Sequence, residues 1–346
     1  MNLTQVASLT KKLLLYSFIL LVALVITMYI WDRAAQEIAK RNPPSPPTPT
    51  LLYGKLPPPD FDTKQTSAGL DFILDTIEAV PPAFPILETV YPVEATKPRL
   101  SDLETAKERA KSWGFGTEPT NSSEQNYTFA DSRLPRTIEI KRGSNNFILS
   151  FQLDRDSSPL TSPVPSSVEA ENILKNILKE HQLFSSDLEN GKFSISYLSF
   201  NNGQFLPANS QAEANAAKVD LTRGQLGKLP IVNLPDRANI SAILSGDKDP
   251  NKRILFLRFT HWPTATGEPA TYPIKTGKQV FADLKGGKGV VVAQGTPVKQ
   301  IAISNIYLAI YDPPDAPQFL QPVVVFEGRN GFMAFLPAVA DDWLEP

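Results

Sequence analysis

The sequence predicts an α+β protein: an N-terminal single transmembrane helix followed by repeated units, each a helix set against an antiparallel sheet. Three observations predict it. An uncharged apolar run fills residues 13–31, a proline-dense stretch follows, and an order of capped helix then strands occurs three times beyond it. With 346 residues, 42% of them hydrophobic, the chain has ample material for a large core.

The apolar run reads LLLYSFILLVALVITMYIW. As a helix rising 1.5 Å per residue it would span about 28 Å, close to the roughly 30 Å hydrocarbon core of a bilayer. Tyr16 stands near one end and Tyr29 and Trp31 at the other, where aromatic rings favour the interface. The run is longer than a signal-peptide core and no A-x-A-like site follows it, so the expectation is an uncleaved anchor at the cell membrane. Residues 1–12 then form a short cytoplasmic tail, residues 13–31 meet the lipid bilayer, and the C-terminal body is extracytoplasmic. Lys11 and Lys12 on one side balance Arg33, Lys40 and Arg41 on the other. Orientation therefore rests on the short tail and the spacer, not on the count of positive charges. Ala23 and Thr27 form a small-xxx-small pair, read either as a helix contact or as lipid-facing filler.

Residues 32–66 read as a helical extension, DRAAQEIAKR, and a proline-rich stalk. Eight of the 32 prolines fall between Pro43 and Pro59. Such a stretch cannot be helical and tends to extended polyproline II, a semi-rigid spacer.

The body then divides into three expected α+β units, residues 67–160, 161–246 and 247–346. In the first, LDFILDTIEA alternates as a strand. Ser101 and Glu104 form a capping box before Leu103, Ala106, Ala110 and Trp113, and Gly114 stops the helix. Strands NYTFA, RTIEIKR and NFILSFQL follow, the last two joined through Gly143-Ser144-Asn145. The second unit opens with a box of Ser166 and Glu169 and a stripe of Ile173, Leu174, Ile177, Leu178 and His181. Strands KFSISYLSF, AAKVDLTR, ISAILSG and RILFLRF come next, with DKDPN as the final turn. In the third, Thr276 and Gln279 box a short helix carrying Val280 and Leu284, which ends at Gly286-Gly287. GVVVAQ, QIAISNIYLAIY, LQPVVVFEG and FMAFLPAV follow as strands.

This last stretch, DLKGGKG through IAISNIYLAIYD, LQPVVVFEG and FMAFLPAV, resembles the final unit of PepSY-like extracytoplasmic domains, closest to membrane-anchored regulators of the YycH/YycI type. The resemblance covers the overall layout and mainly residues 276–339. It implies a non-catalytic body that acts through contact with a membrane sensor kinase. The proline-rich stalk departs from the pattern.

Composition removes several chemistries. The chain has no cysteine, so disulfides and thiolate sites are absent, and only two histidines, His181 and His261. Residues 42–346 hold 29 Lys/Arg against 34 Asp/Glu, and this weakly acidic balance without a basic run argues against nucleic acid. A serine–histidine–acid triad would need one of the two histidines, yet neither G-x-S-x-G nor HExxH occurs. His181 is expected as a charged or hydrogen-bonded group at a helix C-terminus and His261 in a turn.

Asp247, Asp249 and Asn251 begin like a calcium loop, but Lys252 stands where glycine belongs and Arg258 where glutamate belongs, so a polar turn is the better reading. GGKG at Gly286–Gly289 follows a helix instead of opening one, which suits termination, not a phosphate cradle. Asp341 and Asp342 read as solvated. Sequons stand at Asn121, Asn126 and Asn239.

The expectation is therefore no catalytic, cofactor or metal residue, and a membrane-anchored sensor, regulator or interaction module with a protein partner in the membrane or envelope. A structural envelope component, or a glycan hydrolase using two carboxylates, are the alternatives.

Overall fold

The computed structural model describes residues 16–17, 20–34, 47–94, 101–144, 146–264 and 268–346. The chain falls into two compact units, Met1–Thr48 and Pro49–Pro346.

In the first unit residues 16–17 and 20–34 are helical. The continuous stretch 20–34 spans about 22 Å at 1.5 Å per residue, well below a 30 Å hydrocarbon core. It also runs into Asp32 and Arg33. Among the described residues no helix is long and apolar enough to cross a membrane. This corrects the expected single-pass signal anchor over residues 13–31, and with it the membrane localisation and the extracytoplasmic placement of the body. Residues 1–15, 18–19 and 35–46, with the expected cytoplasmic tail and parts of the expected anchor, extension and spacer, lie outside the described residues. Within the helix, the Thr27 hydroxyl donates to the Ala23 carbonyl at 2.6 Å, so that pair is linked along its own helix.

The second unit contains the strands β1 (Phe72–Leu74) and β2 (Leu87–Pro92), then helix α1 (Asp102–Ser112) and strands β3 (Asn121–Ser122), β4 (Asn126–Ala130), β5 (Arg136–Lys141) and β6 (Phe147–Phe151). Helices α2 (Ser167–Glu180) and α3 (Ser186–Glu189) precede β7 (Lys192–Asn201), β8 (Gln204–Pro207), β9 (Ala216–Thr222), β10 (Gln225–Leu226), β11 (Leu229–Val232) and β12 (Ile240–Leu244). The remainder is α4 (Pro250–Arg253), β13 (Ile254–Phe259), β14 (Ala270–Pro273), α5 (Gly277–Lys285), β15 (Val290–Ala293), β16 (Ile301–Tyr311), β17 (Phe319–Gly328) and β18 (Met333–Pro337).

Two nine-stranded sheets organise these elements. One runs β3-β4-β5-β6-β13-β12-β9-β7-β8, antiparallel throughout. The other runs β10-β11-β16-β17-β18-β15, with β1 parallel to the start of β16 and β2 carrying β14 onto β17. Strand makes up 35% and helix 22% of the described residues, so the expected fold of repeated helix-plus-sheet units is corrected to a sheet-dominated one. The physical reason is non-local pairing. β13, read in line with the second unit's strands, pairs with β6 of the first unit, and β1 from the first pairs with β16 of the third.

Helices α1 and α2 cover one face of the first sheet. Ala106 and Ala110 of α1 and Ala170, Leu174 and Leu178 of α2 pack with Ile138, Leu149, Val219 and Leu257. Full burial of each large apolar chain contributes about 1.5–3 kcal/mol. α2 has the predicted capping box, and so has α5. α1 does not: Ser101 adopts helical dihedrals and its side chain caps nothing. The expected strand LDFILDTIEA shrinks to three residues, because Ile77 and its neighbours find no partner strand and Ile77 stays exposed.

The second sheet is buried on both faces. Val324 and Phe326 of β17 pack with Val280 and Leu284 of α5. Val323 and Val325, pointing the other way, pack with Phe61. The proline-rich stretch is consequently no free stalk from residue 50 onward. Thr50 and Leu51 bond to Thr271, and Leu56 and Phe61 are buried.

Candidate functional site

Three strand ends converge where the two sheets meet. β9 ends at Thr222 and delivers Arg223; β13 ends at Phe259 and delivers His261 and Trp262; β16 ends at Tyr311 and delivers Asp312. Arg223 Nη1 lies 3.0 Å from Asp312 Oδ2, and Arg223 Nε lies 2.7 Å from Asp187 Oδ2. The N–H of Nε does not point along the second contact, so that one is an ion pair without a hydrogen bond. The Arg223 and Asp312 side chains are 2% and 0% exposed. Asn239 completes the clasp, donating Nδ2–H to Asp312 Oδ2 at 2.8 Å and accepting Arg223 N–H at 3.0 Å. Trp262 Nε1 donates to the Pro313 carbonyl at 2.8 Å and Asn233 Nδ2 to the Asp312 carbonyl at 3.2 Å. Buried charges survive only when paired and hydrogen-bonded. Here the pairing joins one sheet to the other.

His261 sits beside this clasp. Its Nε2 lies 2.9 Å from Asp187 Oδ2 and 3.4 Å from Ser185 Oγ, and the Ser185 hydroxyl donates to Asp187 Oδ1. The residue types are those of a hydrolase triad, but the wiring is not. A triad places serine and acid on opposite imidazole nitrogens, so that one nitrogen takes the serine proton while the other is held by the acid. Here both groups address Nε2, and the serine proton is already given to the carboxylate. Burial works against the Asp187 charge, but hydrogen bonds from His261 and Ser185 and the nearby Arg223 outweigh it and hold the carboxyl well below the usual range. Asp187 is an ionised structural group.

His181 closes α2 as its C-cap, with the ring stacked on Trp113 at 3.7 Å and 7°. Burial lowers its pKa, Glu180 opposes this, and Arg109 adds to it. Of the charged or hydrogen-bonded histidine expected at the helix end, the charged form is thus disfavoured by burial. The calcium-like loop is a capped turn: Asp249 accepts from Asn251 N–H and α4 follows. Among the described residues no group of three or more His, Asp or Glu side chains could hold a metal ion. Asp341 is exposed, as expected, and also pairs with the buried Lys275 at 2.6 Å. Asn239 is buried in the clasp, so its sequon is closed to modification in the folded protein.

The open face of the first sheet, opposite its helices, leads into a cleft at this junction. Register places Thr128, Glu139, Ile148, Arg258, Ser241, Asp220 and Ser194 in one cross-sheet row. At the near end a cavity of about 270 Å³ is walled by Ile148 and Arg258 on the sheet side and by Asn233, Asp312 and Pro313 on the other. Lys141 and Asp315 bridge its rim at 2.7 Å. Three buried polar atoms of the lining have no hydrogen-bond partner: Asp312 Oδ1, Asn233 Oδ1 and Asn146 Nδ2. Arg258 has no ion-pair partner among the described residues. Burial lowers its pKa, and the charge of Arg237 adds to this while Asp220 opposes it.

None of these groups stands out in sequence. The one signal was a lone acid, Asp312, closing the apolar strand IAISNIYLAIY before Pro313-Pro314. Neither a family model nor a curated protein matches this sequence.

Proposed function

We propose that the body is a non-enzymatic regulatory or protein-interaction module that recognises its partner at the open sheet face and the adjoining cleft. One observation carries this reading. Arg258 of the cleft has no ion-pair partner among the described residues, whereas the serine, histidine and carboxylate nearest to a catalytic set are spent on one another and on Arg223. Unpaired groups on a rigid frame suit recognition, and committed groups do not suit proton transfer. The regulatory role implied by the resemblance of residues 276–339 agrees with it.

Photo-cross-linking of the full-length chain in its native cells tests the reading. A benzophenone amino acid at Ile148, on the open face and 38% exposed, should capture a protein that the same group at Val168, 71% exposed on α2, does not. Arg258→Glu should abolish that capture with the fold retained by circular dichroism. Equal capture at both positions, or none at Ile148, would count against recognition at this face.

A further inference from the structure

Each carboxylate lining the cleft at the sheet junction already has a donor, while one of the cations there has no acceptor. Asp312 is held by Arg223 at 3.0 Å and by Asn239 at 2.8 Å, Asp315 by Lys141 at 2.7 Å, and Glu139 by the side-chain amide of Asn126. Arg258 has neither an ion pair nor a side-chain hydrogen bond among the described residues. It is only partly buried, and none of its guanidinium nitrogens is sealed from solvent. Arg237 lines the same cleft, near enough for its charge to act on Arg258. Its own partner, Asp62, is reached across an exposed contact of 3.4 Å, a pairing worth little in water. Ile148 stands directly opposite Arg258 on the neighbouring strand, where Cβ atoms lie about 5 Å apart, and it is 38% exposed.

We infer that the cleft receives an acidic side chain of the partner protein, an aspartate or glutamate whose carboxylate lies on Arg258 while an aliphatic neighbour covers Ile148. The planar fork of a guanidinium matches a carboxylate with two parallel hydrogen bonds. Charge complementarity selects this occupant. A cation meets two guanidiniums, and a neutral group covering Arg258 strips water from its charge and returns nothing. A phosphate dianion is drawn to Arg258 as well, but Glu139, Asp312 and Asp315 line the same cleft and oppose a second negative charge. Arginine is among the residues on which interface binding energy concentrates. The exposed surface of Ile148 beside it gains from apolar cover, which a free acid ion does not supply. This assignment rests on the recognition-module reading and names the chemistry of its partner.

Titration calorimetry of the full chain tests it with three probes: acetyl-leucyl-glutamate amide, its neutral isostere acetyl-leucyl-glutamine amide, and inorganic phosphate. The glutamate probe should bind saturably, and the other two at least about tenfold more weakly. Arg258→Gln, which breaks no ion pair among the described residues, should bring the glutamate probe down to the level of the glutamine probe. Arg258→Lys should recover only part of the difference, because an ammonium lacks the fork. Arg237→Gln should weaken the glutamate probe about threefold and leave the glutamine probe unchanged. Circular dichroism checks the fold of each variant. Equal binding of the two dipeptides, an unaffected Arg258→Gln, phosphate binding as tightly as the glutamate probe, or no saturable binding at all overturns the assignment. If the dipeptides fail while cross-linking from Ile148 persists, the acidic partner falls and the interaction module stands. If cross-linking fails while the glutamate probe binds through Arg258, the protein partner falls and a carboxylate site stands without it.

Discussion

Arg223 and Asp312 meet at 3.0 Å with both side chains sealed from solvent, although 89 positions separate them in sequence. One closes a strand of the first sheet and the other a strand of the second, so the contact exists only once both sheets have formed. Asn239 and Trp262 reinforce the same junction from a third and a fourth segment.

Removing the cation should be costly. Arg223→Met leaves the Asp312 carboxylate buried without its counter-charge, which typically costs about 3–5 kcal/mol. Urea unfolding should show that loss, and adding Asp312→Asn should recover part of it. A single variant within about 1 kcal/mol of the parent would mean that water reaches the clasp.

The acid limb of stability should depend on Asp187. Its folded carboxyl lies below the unfolded value of about 3.9, so its contribution is complete above that value and is lost as pH falls toward the folded one. Asp187→Asn should be less stable than the parent near neutral pH and should converge with it below about pH 4. Urea midpoints measured across that range would show parallel curves if Asp187 contributed nothing.

Tyr311 gives the opposite sign. Its hydroxyl is buried without a partner, and burial, then Asp60 and Asp62, raise its pKa. The neutral phenol is therefore favoured by folding: that contribution is complete below about pH 10 and is lost as pH rises above it. Tyr311→Phe deletes an unsatisfied group and should be neutral or stabilising by up to about 1 kcal/mol. It should also soften the alkaline loss of stability. A cost above about 2 kcal/mol would show that the hydroxyl does find a partner.

Three capping serines and threonines should separate cleanly. Ser166→Ala and Thr276→Ala each remove a formed capping box and should cost about 1 kcal/mol. Ser101→Ala should cost almost nothing, since its side chain caps no N–H. Equal losses at all three in thermal or urea unfolding would contradict the geometry at Ser101.

Local chemistry was largely readable. The apolar stripe of Leu174 and Leu178, the boxes at Ser166 and Thr276, and the runs RTIEIKR, IAISNIYLAIY and LQPVVVFEG all predict elements that the chain forms. These signals act within one turn or one strand, so neighbouring residues suffice to specify them. Reading the same order as three helix-plus-sheet units failed, because sequence order does not say that β13 will pair with β6 or β1 with β16. The apolar run at 13–31 likewise stated its composition and not its described helical length.

The candidate site lay further from view. Arg223 ends an ordinary strand, Asn239 looks like a sequon, and Ser185, Asp187 and His261 are spread over 76 positions. What the sequence by itself determined is the set of strands and helices, through periodicity and caps. Only the tertiary structure decided which strand ends adjoin, which carboxylate loses water and which guanidinium answers it. Those outcomes depend on non-local pairing and on burial, and neither quantity exists until the chain has closed on itself.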